Sequence, residues 1–343
     1  MVQSNNFTTY GIQNDYERRI LIFFNVGVAL SALIGDTIIL IGITKYNAVK
    51  LHRVIVVIIL HLAVSDLLLA TFETIPQIVS LISQKWVLGE VFCRLNPIVN
   101  GICITATAAL TCVLTTNKLL LVLYPLKAES WSARRAHLIC AFFWALGLLQ
   151  PGQISTMLFT STDDWKFSYY DYTCNGDLSD APLWLRWFSS AFTFGGLLLA
   201  FLILIITSAL LLIKARKLAL MRGRNLRWQG VLAVLATTAV YLVSNMPWFV
   251  LEVSSLVVTH SIKTWRIALF ISNLNIMANF YVYCLTVRSF REFICSSAQR
   301  LARKLGIDLA PPEAAEARNQ VVPVPQRNPT MRTLVRGQQN QVV

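Results

Sequence analysis

The chain has 343 residues, 55% of them hydrophobic and 14% charged, and a net charge of +13. That balance excludes a disordered protein and sits badly with an ordinary soluble one. The positive excess gathers in short stretches beside apolar runs, so it reads as a topology signal and a lipid-facing surface, with no nucleic-acid partner implied.

Seven apolar runs are each long enough to supply the roughly 20 helical residues that cross a bilayer. They lie near 20–43, 54–82, 93–123, 136–158, 184–213, 228–258 and 265–286. The spacing predicts an all-α membrane protein, a seven-transmembrane helix bundle over 20–287. A polar outer tail, 1–19, precedes it, and the first span is the expected targeting signal. An amphipathic eighth helix is predicted over 288–305, at the inner membrane surface, from Phe290, Phe293, Ile294, Leu301 and Leu305. The Pro-rich stretch 306–343 is expected to be a disordered cytoplasmic tail. No repeat of the transporter kind is visible.

Lys45, Lys50 and Arg53 follow the first span, and Lys127, Arg134 and Arg135 lie between the third and fourth. Lys214, Arg216, Lys217, Arg222, Arg224 and Arg227 lie between the fifth and sixth. The positive-inside rule puts these loops in the cytoplasm and the N-terminus outside. Asn6-Phe7-Thr8 is then a glycosylation sequon on the outer side.

Asp36 lies inside the first run and Asp66 inside the second. A charge at bilayer depth costs about 2.5–3.5 kcal/mol on insertion scales, and such a residue faces the bundle interior. Two nearby acids cannot both stay ionised cheaply. Asp36 is either protonated in place, or paired with Asp66 across a shared proton or a cation. Glu73 follows Asp66 by close to two helical turns, so a regular helix puts both on one face, about 10 Å apart. Asn100, Thr107 and Thr111 share a stripe in the third run. Asn275, Asn279 and Tyr283 do so in the seventh, implying hydrogen bonds between helices. Pro247 should kink the sixth. Trp248 and Glu252 share a face beyond it.

Cys93 and Cys174 are the two cysteines expected outside. An oxidising exterior favours one disulfide over two free thiols. Cys295, just past the last span, is a palmitoylation candidate or a plain thiol. The four histidines do not converge by spacing, so no catalytic or metal cluster is read and no enzyme is expected. Lys118 has a simple role available, as a snorkelling anchor at the inner surface.

Several landmarks stand in order on successive spans. They are Gly35-Asp36, Leu62-Ala63-Val64-Ser65-Asp66, Trp86 and Gly89 with Cys93, Asn117-Lys118-Leu119 before Pro125-Leu126, Trp144, Ser244-Asn245-Met246-Pro247, and Asn279-Phe280 with Val282-Tyr283. Together they resemble the rhodopsin-like G-protein-coupled receptors over about 20–305. That resemblance implies a plasma-membrane receptor passing an extracellular signal to heterotrimeric G proteins. It implies a ligand pocket at Glu73, Asn100, Asn245, Trp248, Glu252 and Asn273. It maps the family's sodium site onto Asp66, Thr107, Asn275 and Asn279, with Asp36 and Tyr283 beside it. G-protein coupling falls on Asn117, Lys118, Leu126 and Arg227.

The departures from the family pattern are specific. Asp36 stands where the family has Asn. Asn117-Lys118-Leu119 lacks the acid and arginine of the inner ion-pair switch, and Arg227 would repel Lys118. Asn245 replaces the tryptophan at the pocket floor, and Phe280 replaces the proline of the seventh span. Thr207 stands for the fifth-span tyrosine. Asn273 sits where opsins carry the retinal lysine, and Asn100 where aminergic receptors carry an aspartate. The expected ligand is therefore neither covalent retinal nor an ordinary monoamine. Glu73, Glu252 and the acidic loop holding Asp163, Asp164, Asp171, Asp177 and Asp180 suit a cationic small molecule or peptide, unless the two glutamates only hydrogen-bond internally. A non-signalling decoy or scaffold receptor is the rival reading.

Overall fold

The computed structural model describes residues 15–47, 49, 51–129, 131–148, 165–168, 173–176, 182–222, 228–254, 258 and 260–304. The tail beyond 304, Asn6, Arg227 and the acids of the loop before the fifth span lie outside the described residues, as do the side chains of Glu252 and Cys174.

Long apolar runs become helices because a helix satisfies its own backbone where no water is present. Span one is Asp15–Tyr46, with Asp15 and Glu17 in its first turn and Lys45 in its last. Those charges oppose the helix dipole at each end. Span two runs through Arg53–Leu69, a π-helical turn at Ala70–Thr74, and Ile75–Ser83. Span three is Glu90–Leu123, followed by a short helix at Pro125–Glu129. Span four is described over Ala133–Leu148, about 24 Å of helix. Its predicted outer end lies beyond the described residues.

Two antiparallel strands follow, β1 (Trp165–Ser168) and β2 (Thr173–Gly176), with Trp165 opposite Gly176 and Ser168 opposite Thr173. Span five, Leu183–Arg222, is a continuous helix of 40 residues with no proline. Span six is Trp228–Ser254 and carries Pro247 inside it. Span seven breaks at Asn273 into Ile262–Ser272 and Leu274–Thr286. The eighth helix, Arg288–Lys304, forms as predicted. Among the described residues, six helices are long and apolar enough to cross a membrane.

The compact body runs to Ile294, and a second unit begins at Cys295. In that second unit residues 295–304 are helical, with Arg303 and Lys304 in the last turn. Within the body, span three is the hub and packs against spans two, four, five and six. Span one packs on spans two and seven. The inner core gathers Ile39, Ile55, Ile58, Leu110, Leu114 and Phe290. A smaller cluster of Val28, Ala32, Leu69, Cys103 and Ile276 fills the outer half.

Phe280, which stands where the family has proline, takes its space from span one. A Cβ on Gly35 would lie 2.6 Å from Phe280 Cβ. The same ring meets Phe290 edge-to-face at 6.3 Å, and Phe290 is wholly buried. Glycine at 35 thus lets spans one and seven close over the start of the eighth helix.

Overpacking a filled core costs about 1–3 kcal/mol. Gly35→Ala should therefore lower the thermal unfolding midpoint of the purified protein. A Gly35→Ala protein that melts with wild type would show that the contact is not tight.

Candidate functional site

The site begins with a proline. Pro76 has no N–H, so the Phe72 carbonyl one turn earlier loses its helical donor. Asn96 Nδ2 of span three donates to that carbonyl instead. The π turn at Ala70–Thr74 lies at the same place and is the usual device for one extra residue in a helix. An extra residue turns the remainder of the span by about 100° relative to a regular helix. The seven-residue spacing of Asp66 and Glu73 therefore misjudges their relation. Asp66 meets span seven, and Glu73, only 4% exposed, lines a cavity further out.

That cavity has a volume of about 210 Å³. Glu73, Asn100, Asn245, Trp248 and Asn273, all predicted pocket residues, line it together. Thr107 and Asn275 line it as well. Asn245 does more than floor the space. Its Nδ2 donates to the Tyr241 carbonyl at 2.9 Å, and its Oδ1 accepts from Ser272 Oγ at 2.9 Å. It thus ties span six to span seven just below Pro247. Asn273 Nδ2 donates to Gln77 Oε1 at 3.1 Å and to Asn25 Oδ1 at 3.4 Å, joining spans seven, two and one. Sequence reasoning missed Asn25, Gln77, Asn96 and Ser272. A signal for them exists, since each is a polar residue inside or beside an apolar run.

Asp66 and Asp36 are both wholly buried. Asn279 Nδ2 donates to Asp66 Oδ2 at 2.5 Å. Asp66 Oδ1 and both carboxylate oxygens of Asp36 have no hydrogen-bond partner. The two acids interact electrostatically. Beside them, Ser65 Oγ and Thr107 Oγ1 share a hydrogen bond of 2.8 Å, and Tyr283 is buried. Carboxylate, hydroxyl and amide oxygens are the donor set of a hard cation, so these residues fit one.

At the inner end, Asn117 is buried and Lys118 is half-buried. The Lys118 ammonium lies over Gly230 of span six, where a Cβ would come within 2.9 Å of Nζ. Thr115 and Thr238 share a buried hydrogen bond of 2.9 Å between the same two spans. Leu126, on the short helix after span three, is 84% exposed. Thr207 donates to its own helix, at Ile203 O, 2.6 Å away.

On the outer side, Cys93 is buried in the first turn of span three, and the strand β2, which contains Cys174, packs on that span. Cys295 is an exposed free thiol. Among the described residues no three His, Cys, Asp or Glu side chains form a metal-holding group.

A family model described as 7 transmembrane receptor (rhodopsin family) matches residues 36–285. An alpha-1A adrenergic receptor of Oryzias latipes is 30% identical over 121 residues, covering 35% of this chain and 25% of that receptor. A QRFP-like peptide receptor of Branchiostoma floridae is 24% identical over 203 residues, 57% of this chain and 50% of that receptor. Human neuropeptide FF receptor 1 is 25% identical over 154 residues, 43% and 35% of the two chains. The matched stretch thus spans half the length of these relatives or less.

Leaving a buried carboxylate oxygen unpaired costs about 1–3 kcal/mol or more. Asn279→Leu should destabilise the purified protein by that order, and Asp66→Asn in the same background should recover part of it. Strictly additive losses in this double-mutant cycle would mean that the two side chains are not coupled.

Proposed function

The chain belongs to the rhodopsin family of seven-transmembrane receptors, and on that premise we propose that it signals from the plasma membrane, N-terminus outside, through heterotrimeric G proteins. It is a receptor and not an enzyme. The observation that carries the reading is the outer cavity, which brings Glu73, Asn100, Asn245, Trp248 and Asn273 to one space beside the Pro247 kink.

The ligand is proposed to be a cationic small molecule or peptide. The matched relatives divide by name between adrenergic and peptide receptors. A neutral amide at Asn100 gives an amine no counter-ion there, while Glu73 offers one from span two. That favours a peptide with a basic group placed to reach Glu73. A Cys93–Cys174 disulfide would hold β2 over span three at the mouth of the bundle. Asn6 glycosylation and Cys295 palmitoylation belong to the same proposed topology.

Binding would act by shifting a population. A ligand moves the equilibrium only as far as its affinities for the two states differ. Asn245 couples the cavity to both span six and span seven, so a ligand displacing the Ser272 hydrogen bond favours movement about Pro247. At the inner face Lys118, Leu126 and the loop holding Arg227 would meet the G protein, with Asn117 behind them.

The resting state is proposed to hold a sodium ion or a proton between Asp36 and Asp66, with Thr107, Asn275, Asn279 and Tyr283 around it. The magnitudes support a counter-charge. Each buried carboxylate costs about 2.5–3.5 kcal/mol, whereas one interhelical hydrogen bond returns about 0.6–2. Asn279 alone does not offset two acids. Sodium chloride, compared with choline chloride, should raise the thermal stability of wild type and leave Asp66→Asn unmoved. A flat response in both proteins would remove the ion and leave the proton.

Coupling is tested by nucleotide exchange on representative G proteins without ligand. Wild type should promote exchange, and Lys118→Ala, which removes the ammonium that rests over Gly230 of span six, should abolish the signal. The altered Asn117-Lys118-Leu119 stretch also favours the rival reading, a decoy that binds ligand without signalling. Absence of exchange on every G protein, in the presence of a ligand found by binding, would decide for the decoy.

A further inference from the structure

Histidine inside a membrane span usually faces the bundle interior. His137 of span four is instead exposed, and His61 of span two is only half-buried. Counted along each helix, His61 lies about 12 Å beyond Arg53 and His137 about 6 Å beyond Ala133. On the proposed topology both therefore lie within reach of water at the inner surface. Neither ring lines the outer cavity, nor the cleft that Ile139 and Phe143 of span four share with Gly195 and Gly196 of span five.

Spacing along the chain keeps the four histidines apart, yet these two meet across spans. His61 Nε2 and His137 Nδ1 are 3.1 Å apart, and the ring centroids are 5.3 Å apart with the planes at 64°. A hydrogen bond accounts for that distance, one ring donating and the other accepting. The same distance is that of two ligands on one metal. Imidazole nitrogens bind zinc at about 2.0–2.1 Å, which sets two of them about 2.8–3.4 Å apart for angles from square to tetrahedral. The backbone need not move, because a small tilt of the rings brings both lone pairs to one point. With its N–H on Nδ1, His61 offers the Nε2 lone pair; with its N–H on Nε2, His137 offers the Nδ1 lone pair. Only the ring that donates in the hydrogen bond has to change, by exchanging its proton with water from one nitrogen to the other.

We propose that His61 Nε2 and His137 Nδ1 form a two-imidazole site for a divalent transition metal, zinc in the first place. Imidazole suits zinc, copper and nickel, whereas magnesium and calcium take oxygen ligands. Among the described residues no third His, Cys, Asp or Glu joins the pair, so water fills the remaining positions. The metal is therefore one that exchanges with the surrounding solution, not a permanent structural ion. Arg134, exposed and one turn before His137, lowers the affinity by its charge. Once bound, the metal ties span two to span four one helical turn inward from Ser65, whose hydroxyl bonds Thr107 of span three. It then stabilises whichever state of the bundle keeps the two rings within reach.

The test is equilibrium dialysis of the purified full chain in detergent against zinc chloride. A Cys295→Ser background removes the exposed thiol, and the protein carries no histidine affinity tag. The background protein should saturate at a single zinc that excess magnesium chloride does not displace. His61→Ala and, independently, His137→Ala should each raise the half-saturating zinc concentration more than about tenfold, since even an outer-shell partner is worth about 10–100-fold. His137→Gln keeps a polar side chain in place and should lose zinc as His137→Ala does. His260→Ala, in the loop between spans six and seven, should bind as the background does. Zinc binding unchanged in both His61→Ala and His137→Ala, or absent from the background protein, would overturn the site. Displacement by magnesium would overturn the imidazole ligands. The readout is metal bound in detergent, so no outcome depends on topology or on G-protein coupling.

Discussion

Asp66 is a carboxyl group held wholly out of water in the middle of a helical bundle, and much of the body is arranged around that fact. The hydrogen bond it accepts from Asn279 joins span two to span seven. Its helical neighbour Ser65 bonds Thr107 and reaches the Cys103 carbonyl, joining span two to span three. A second acid, Asp36, approaches from span one, and neither of its carboxylate oxygens has a hydrogen-bond partner. Four spans therefore meet at a place where charge is expensive and polar groups are few. In such an interior a fully satisfied network rigidifies, and a partly satisfied one is poised to take a proton, an ion or a new partner.

Outward from that point, the architecture is a series of answers to lost backbone bonds and lost side chains. Pro76 removes a donor, and Asn96 supplies one. The π turn beside it aims Glu73 into the outer cavity. Span seven lacks proline and breaks instead at Asn273, whose side chain is held by Gln77 and Asn25. The large Phe280 ring is received by a glycine on span one. Each of these departures from a regular helix or from the family pattern has a local partner that absorbs it, so the bundle keeps its form while the groups within it differ.

The inner end follows the same logic with a different consequence. Lys118 sits over Gly230, and Asn117 borders the cleft between spans four and five. Trp248 links that gap to the outer cavity, and Asn245 links the cavity to spans six and seven. The outer cavity and the cleft thus share Trp248 of span six.

The sequence by itself determined the helices, their order and the family. These rest on local properties: run length, charge placement and short motifs are written residue by residue. It also picked most of the cavity, because polar residues inside apolar runs must face inward. The tertiary structure decided who meets whom. Regular-helix spacing put Asp66 and Glu73 on one face, and the π turn separates their roles, since one inserted residue changes the phase of everything after it. Asn245 looked like a lost pocket floor and is a bridge to Ser272, a partner 27 residues away. Gly35 and Phe280 looked like separate motif positions and are one contact. The cleft beside Gly195 and Gly196 had no sequence signature, because a gap between helices is a property of their packing and of no single stretch of chain.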